Sequence, residues 1–206
     1  MTITTPTQAL ERLIQGNLRF ISGTRSVEPM LSHLKMADLA AQGQRPFAVI
    51  LTCSDSRSPV ELIFDQGVGD LFVVRVAGNV VAPSLLASIE FAVANFGSPL
   101  ILVLGHTLCG AVKATIQHAH DPHQPLPSSH LEELVGRIRP AVESVEGRPD
   151  PSSAEFLKRA TSQNIRRSMT LIQEQSKIVR DLIAQGKLSI TGATLEIETG
   201  RVHLMN

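Results

Sequence analysis

Two short runs, Phe47-Ala-Val-Ile-Leu-Thr52 and Pro99-Leu-Ile-Leu-Val-Leu104, are apolar at almost every position and show no polar alternation. A strand with one face in water alternates, so these read as strands buried on both faces, the kind found in parallel sheets covered by helices. Helical patterns lie between and around them. Leu71–Val76 is a further strand, and Pro83–Phe96 is a helix that opens on proline and stops at Gly97. Ser58-Pro59-Val60-Glu61 has the pattern of a capping box with Ser58 as N-cap, opening a short helix to about Gly67. Helices are expected from Cys109 to about His118, over 130–145, and from Pro151 to Ala184, the last long enough to break; strands are expected over 187–191, 194–198 and 201–204. The alternation defines an α/β class with a mostly parallel central sheet flanked by helices.

Upstream, Leu10, Leu13, Ile14 and Leu18 mark one face of a helix over about 7–21, and nothing beside it in sequence buries that face. A second amphipathic helix, Leu31–Ala41, ends before Gly43 and Pro46. The expectation is a single domain over 1–206, with an N-terminal helical arm (1–45) and an α/β core (46–206).

Charge narrows the function. Lys plus Arg and Asp plus Glu number 19 each, a formal net charge of zero, so there is no electrostatic footprint for nucleic acid. The longest apolar stretches, Phe47–Leu51 and Leu100–Leu104, fall far short of the roughly 20 residues of a membrane-spanning helix. Met1–Gln8 has neither a basic nor an apolar targeting region, so a cytoplasmic location is expected. Gly67-Val-Gly69 is not a dinucleotide loop, because Phe72 replaces the third glycine and a strand follows rather than precedes it. His118, His120 and His123 fall in or beside a polar, proline-rich loop.

Ligands in open α/β sheets sit beyond the carboxyl ends of the strands. Cys53 and Asp55 follow the first strand, and His106 and Cys109 follow the third. Both cysteines of the chain belong to this set, they are 56 positions apart rather than in a Cys-x-x-Cys pair, and thiolate with imidazole and carboxylate suits zinc. The spacing His-x-x-Cys, entering a helix, would put both side chains on one face. Arg57 can grip Asp55 through two parallel hydrogen bonds.

These residues carry a resemblance. Cys53-Ser-Asp-Ser-Arg57, Gly105-His-Thr-Leu-Cys-Gly110 and the connecting Gly69–Asn79 segment are similar to the zinc-site motifs of the β-class carbonic anhydrases. The likeness is close over 44–115 and weaker at Gly16–Phe20 and Gly192–Val202. It implies zinc held by Cys53, His106 and Cys109, with Asp55 either on the metal or swung away to Arg57. It further implies a pocket for carbon dioxide and bicarbonate formed by Gln44, Phe72, Phe91 and Gly110, with Asp55 and Arg57 as catalytic groups. The reaction implied is reversible hydration of carbon dioxide. Hydrolysis of carbon disulfide or carbonyl sulfide, or a non-catalytic zinc-stabilised protein, are the alternatives. Relatives lay an N-terminal arm across a neighbour, so a homodimer or larger homo-oligomer is expected. One branch of the family holds bicarbonate away from zinc in a Trp, Arg and Tyr pocket; this chain has Arg75 but no Trp or Tyr, so Asp55 is expected to pair with Arg57.

Overall fold

Strand β1 (Ala48–Thr52) is buried at every position, as is β3 (Leu100–His106), because both lie in the middle of a five-stranded sheet. With β2 (Leu71–Arg75), β4 (Ser189–Leu195) and β5 (Val202–Leu204) the order is β2-β1-β3-β4-β5, parallel except for the antiparallel β5. The computed structural model describes residues 4–27 and 31–205. The first three residues of the stretch inspected for a targeting signal lie outside them, as do 28–30 of the 1–45 segment and Asn206. No helix among the described residues is long and apolar enough to cross a membrane.

Each sheet face has its own core. Val49, Leu51, Ile101 and Val103 pack with α4 (Pro83–Asn95), α7 (Ala154–Gln175) and α8 (Lys177–Ala184). Ala48, Ile50, Leu102 and Leu104 point the other way, onto α1 (Pro6–Ser22) and α3 (Val60–Ile63). A short 3₁₀ turn, Ser32–Lys35, and α2 (Met36–Gln42) precede β1, while α5 (Gly110–His120) and α6 (Ser129–Glu143) form a third cluster with α7 beside the carboxyl end of β1.

Several local expectations are corrected. Ser58 does not cap α3: its hydroxyl donates to the Asp55 carbonyl at 2.8 Å, and Pro59 takes the N-cap position with no side-chain bond. The long C-terminal helix breaks at Ser176, whose hydroxyl accepts from the Val179 N–H and starts α8. The two strands expected over 187–198 are one, β4, running through Gly192, where a Cβ would lie 2.8 Å from the Met169 sulfur.

Helix α1 does not lack a partner in its own chain. Ala9 and Leu13 are buried in the core, and the Asn17 amide donates to the carbonyls of Ile63 and Gly200 while its oxygen accepts from Val202. Of the face marked by Leu10, Leu13, Ile14 and Leu18, only Leu13 is fully buried by its own chain; Leu10 and Ile14 are half-buried and Leu18 is 43% exposed. Gly16 permits the approach: a Cβ there would stand 1.8 Å from the Phe64 carbonyl oxygen. Gly16→Ala is therefore expected to force α1 off the sheet and cost about 3 kcal/mol, read as a lower denaturant midpoint. An unchanged midpoint would show that α1 contributes little to the fold.

Candidate metal centre

β1 and β3 are parallel neighbours with Thr52 opposite Leu104, so Cys53 and His106 emerge at the same edge of the sheet. The sulfurs of Cys53 and Cys109 and a ring nitrogen of His106 all lie within 4.8 Å of one another, and all three residues are buried. His106 is the last residue of β3, and Cys109 is the N-cap of α5 rather than a residue within it. Their convergence therefore comes from a turn and not from helical i, i+3 spacing. Leu108 sustains that turn with φ of 58°, a left-handed conformation uncommon for a leucine.

The donor set fits a metal cation. His106 Nδ1 lies 2.8 Å from the Thr107 carbonyl, which fixes the proton on Nδ1 and leaves Nε2 with a free lone pair. Nε2 is buried without a hydrogen-bond partner. Burial opposes charge at His106, yet the Cys53 sulfur, the Thr107 carbonyl and Asp55 together raise its pKa, as an anion-rich pocket does. Cys53 is held well below the ordinary thiol range, chiefly by a hydrogen bond from Cys109, and its sulfur also accepts the Gly78 N–H at 3.3 Å. Cys109 is pushed up by the Cys53 thiolate and by burial. A metal ion would take both sulfurs as thiolates and displace their protons.

Asp55 stands at the rim. Arg57 grips it through Nε to Oδ1 at 2.9 Å and Nη2 to Oδ2 at 2.8 Å, and the Arg57 N–H adds a third bond to Oδ1. Arg57 holds this carboxyl well below the usual carboxylate range. Asp55 Oδ2 lies 3.9 Å from His106 Nε2, outside the group of three ligands but beside it. Gly110 is exposed next to Cys109.

Gln44, Phe72 and Phe91 lie elsewhere in the chain. Gln44 is exposed ahead of β1, at the end opposite Cys53, and Phe72 pairs with Val49, four residues or about 13 Å along the strand from Cys53. Phe91 is 52% exposed and packs on Phe72, with ring centroids 6.3 Å apart.

Supporting residues from α7 and β2 complete the centre. Asn164 donates to the Gly78 carbonyl at 2.7 Å and Ser168 to that of Asn79 at 2.9 Å, so α7 clamps the turn whose N–H reaches Cys53. Their sequence signal is two small polar residues four apart on a helix stripe otherwise carrying Ala160, Ile165 and Ile172. Arg75 Nη2 donates to the Asp55 carbonyl at 2.8 Å and fixes the Cys-x-Asp turn. His118 contacts Arg139, and His120 contacts the Pro149 carbonyl.

If the metal is stripped and oxidant supplied, Cys53 and Cys109 are close enough to form a disulfide after a small movement. Mass spectrometry should show a loss of two hydrogens in the stripped protein and none in the loaded one. Free thiols in both would contradict the packing of the two sulfurs.

A parallel α/β sheet with a Cys-His-Cys ligand set beyond adjacent strand ends, and a carboxylate held beside it by arginine, defines a metalloenzyme class. The carbonic anhydrase family model matches residues 48–202. Carbonic anhydrase 2 of Mycobacterium tuberculosis (strain H37Rv) is 41% identical over 203 residues, 98% of this chain and 93% of that one. The carbonic anhydrase of Mycolicibacterium smegmatis is 37% identical over 199 residues, 97% and 93% of the two chains. Among solved structures, the β-carbonic anhydrase CcaA superposes with a TM-score of 0.69 at 27% identity, over 96% of this chain and 95% of that one. A tetrameric β-carbonic anhydrase of Sordaria macrospora gives 0.70 at 23% identity, over 86% and 90%, a likeness of fold. The chain belongs to the β-class of the carbonic anhydrase family. It is a carbonate dehydratase, a lyase, and zinc is the metal of that class.

Proposed function

We propose that the chain catalyses zinc-dependent, reversible hydration of carbon dioxide to bicarbonate and a proton, with Cys53, His106 and Cys109 as the ligands. The observation that carries this reading is the buried three-ligand cluster with the unpartnered lone pair of His106 at its centre. Zinc, when bound, supplies hydroxide at neutral pH by lowering the pKa of water. The protein residues do the rest. Cys53 and Cys109 balance the charge of the cation, and Thr107 holds the His106 ring in the ligating tautomer. Asp55, ionised and immobilised by Arg57, accepts a hydrogen bond from the nucleophile and aims it at the carbon. Because its pKa is depressed, Asp55 orients the proton rather than storing it. The ion pair's contribution to stability is full above the ordinary carboxylate pKa of ~3.9 and is lost only as pH falls toward the depressed value.

Gln44, Phe72 and Phe91 line the substrate pocket in this reading, and the length of β1 prevents them from reaching the metal ligands of their own chain. They act from a second copy, so the working unit is at least a homodimer. Two free, buried cysteines suit a reducing compartment, in keeping with the cytoplasm. Stopped-flow hydration of carbon dioxide, run beside sulfide release from carbon disulfide and carbonyl sulfide, tests the substrate. Hydration alone is expected; sulfide release without hydration would overturn the assignment.

A further inference from the structure

Among the described residues, three buried side-chain nitrogens lack a hydrogen-bond partner: His106 Nε2, Asn79 Nδ2 and Arg167 Nε. The first belongs to the metal centre. Arg167 does not, and it raises a separate question of charge. Its Nε is sealed from solvent, and its guanidinium forms no hydrogen bond or ion pair with any described residue. Arg167 as a whole is half-buried, so only Nε is cut off from water, and the guanidinium keeps its charge whatever surrounds it.

Arg167 lines a cavity of about 120 Å³ between α6, α7 and the segment after β2. The polar groups of its wall are Arg137, Asn164, Ser168 and Gln175. No carboxylate lines it. Arg137 is already satisfied, by Glu133 at 2.6 Å and the Val81 carbonyl at 2.9 Å. Asn164 and Ser168 spend their donors on Gly78 and Asn79. Glu174 lines the adjoining cavity on the other side of Arg167 but forms no ion pair with it. Asn79, which carries another unpartnered donor and is 1% exposed, immediately precedes the cavity residues Val80 and Val81. The wall therefore carries a guanidinium that no carboxylate of the lining pairs with, and the cavity has room for a few heavy atoms.

We propose that this cavity binds a small inorganic oxyanion, gripped by the planar fork of Arg167. The site is distinct from the metal centre, yet the helix that carries Arg167 also clamps the Gly78–Asn79 turn that reaches Cys53.

The test is thermal unfolding of the zinc-loaded protein against sodium sulfate at constant ionic strength, for wild type, Arg167→Gln and Arg166→Gln. Wild type and Arg166→Gln, whose substitution lies at an exposed neighbour, should show a saturable rise in Tm. At a hundred times the dissociation constant that rise is on the order of 5–10 °C. Arg167→Gln should lose the saturable rise. An anion held at the metal would instead leave the response of Arg167→Gln intact, and that result overturns the proposal. So does a wild type without a saturable response, which would mean that water alone satisfies Arg167.

Discussion

Cys109→Ser is expected to lose its zinc and, with it, carbon dioxide hydration by well over ~10²-fold, a larger loss than neighbours of a metal ligand typically cause. A borderline-soft cation needs the thiolates, and serine offers a harder, less acidic and shorter donor. Cys109 opens α5 from a strained turn, and Cys53 accepts the Gly78 N–H, so neither hydroxyl could be moved closer without rebuilding the backbone. Cys53→Ser should behave alike. Zinc content by metal analysis and the hydration rate must fall together; full occupancy in either variant would reject the ligand assignment.

The second large effect comes from mixing. Gln44→Ala is expected to lower hydration on the order of 10²-fold, as does loss of one group that fixes a reacting anion. If Gln44 serves the metal centre of another copy, a dimer pairing Gln44→Ala with Cys109→Ser contains one intact site. It has the metal ligands of the first chain and the glutamine of the second. Random assortment makes half the dimers mixed, each with one of two sites restored, so co-expression should recover roughly one quarter of the wild-type rate. A mixture no more active than the sum of its parts would place Gln44 outside the neighbouring site, and sedimentation as a 22.3 kDa monomer would remove the dimer itself.

The parallel sheet was legible because β1 and β3 are apolar on both faces, and their pairing was an expectation for an α/β sheet that the observed register bears out. That pairing is what lets Cys53 and His106 be placed together from sequence. Features that depend on one bond escaped. Ser58 could cap a helix or fold the Cys-x-Asp turn with equal local chemistry, and the backbone around the metal ligands decides for the turn. The role of Leu108 is invisible because its side chain says nothing of a positive φ, whereas a glycine there would have signalled the turn. The docking of α1 depends on Gly16 and Asn17 meeting Phe64, Ile63 and Gly200, contacts between segments far apart in the chain that no local periodicity encodes. Arg166 and Arg167 are adjacent basic residues on one helix, and only the packing of α7 against α6 sets them apart by enclosing the Nε of Arg167.

Zinc titration of the stripped protein, followed by stopped-flow carbon dioxide hydration at each addition, tests the central claim. The account predicts no enzymatic rate without metal and a linear recovery that ends at one zinc per chain. A stripped protein that hydrates carbon dioxide at the wild-type rate, or a loaded one with zinc bound and no hydration, would contradict it.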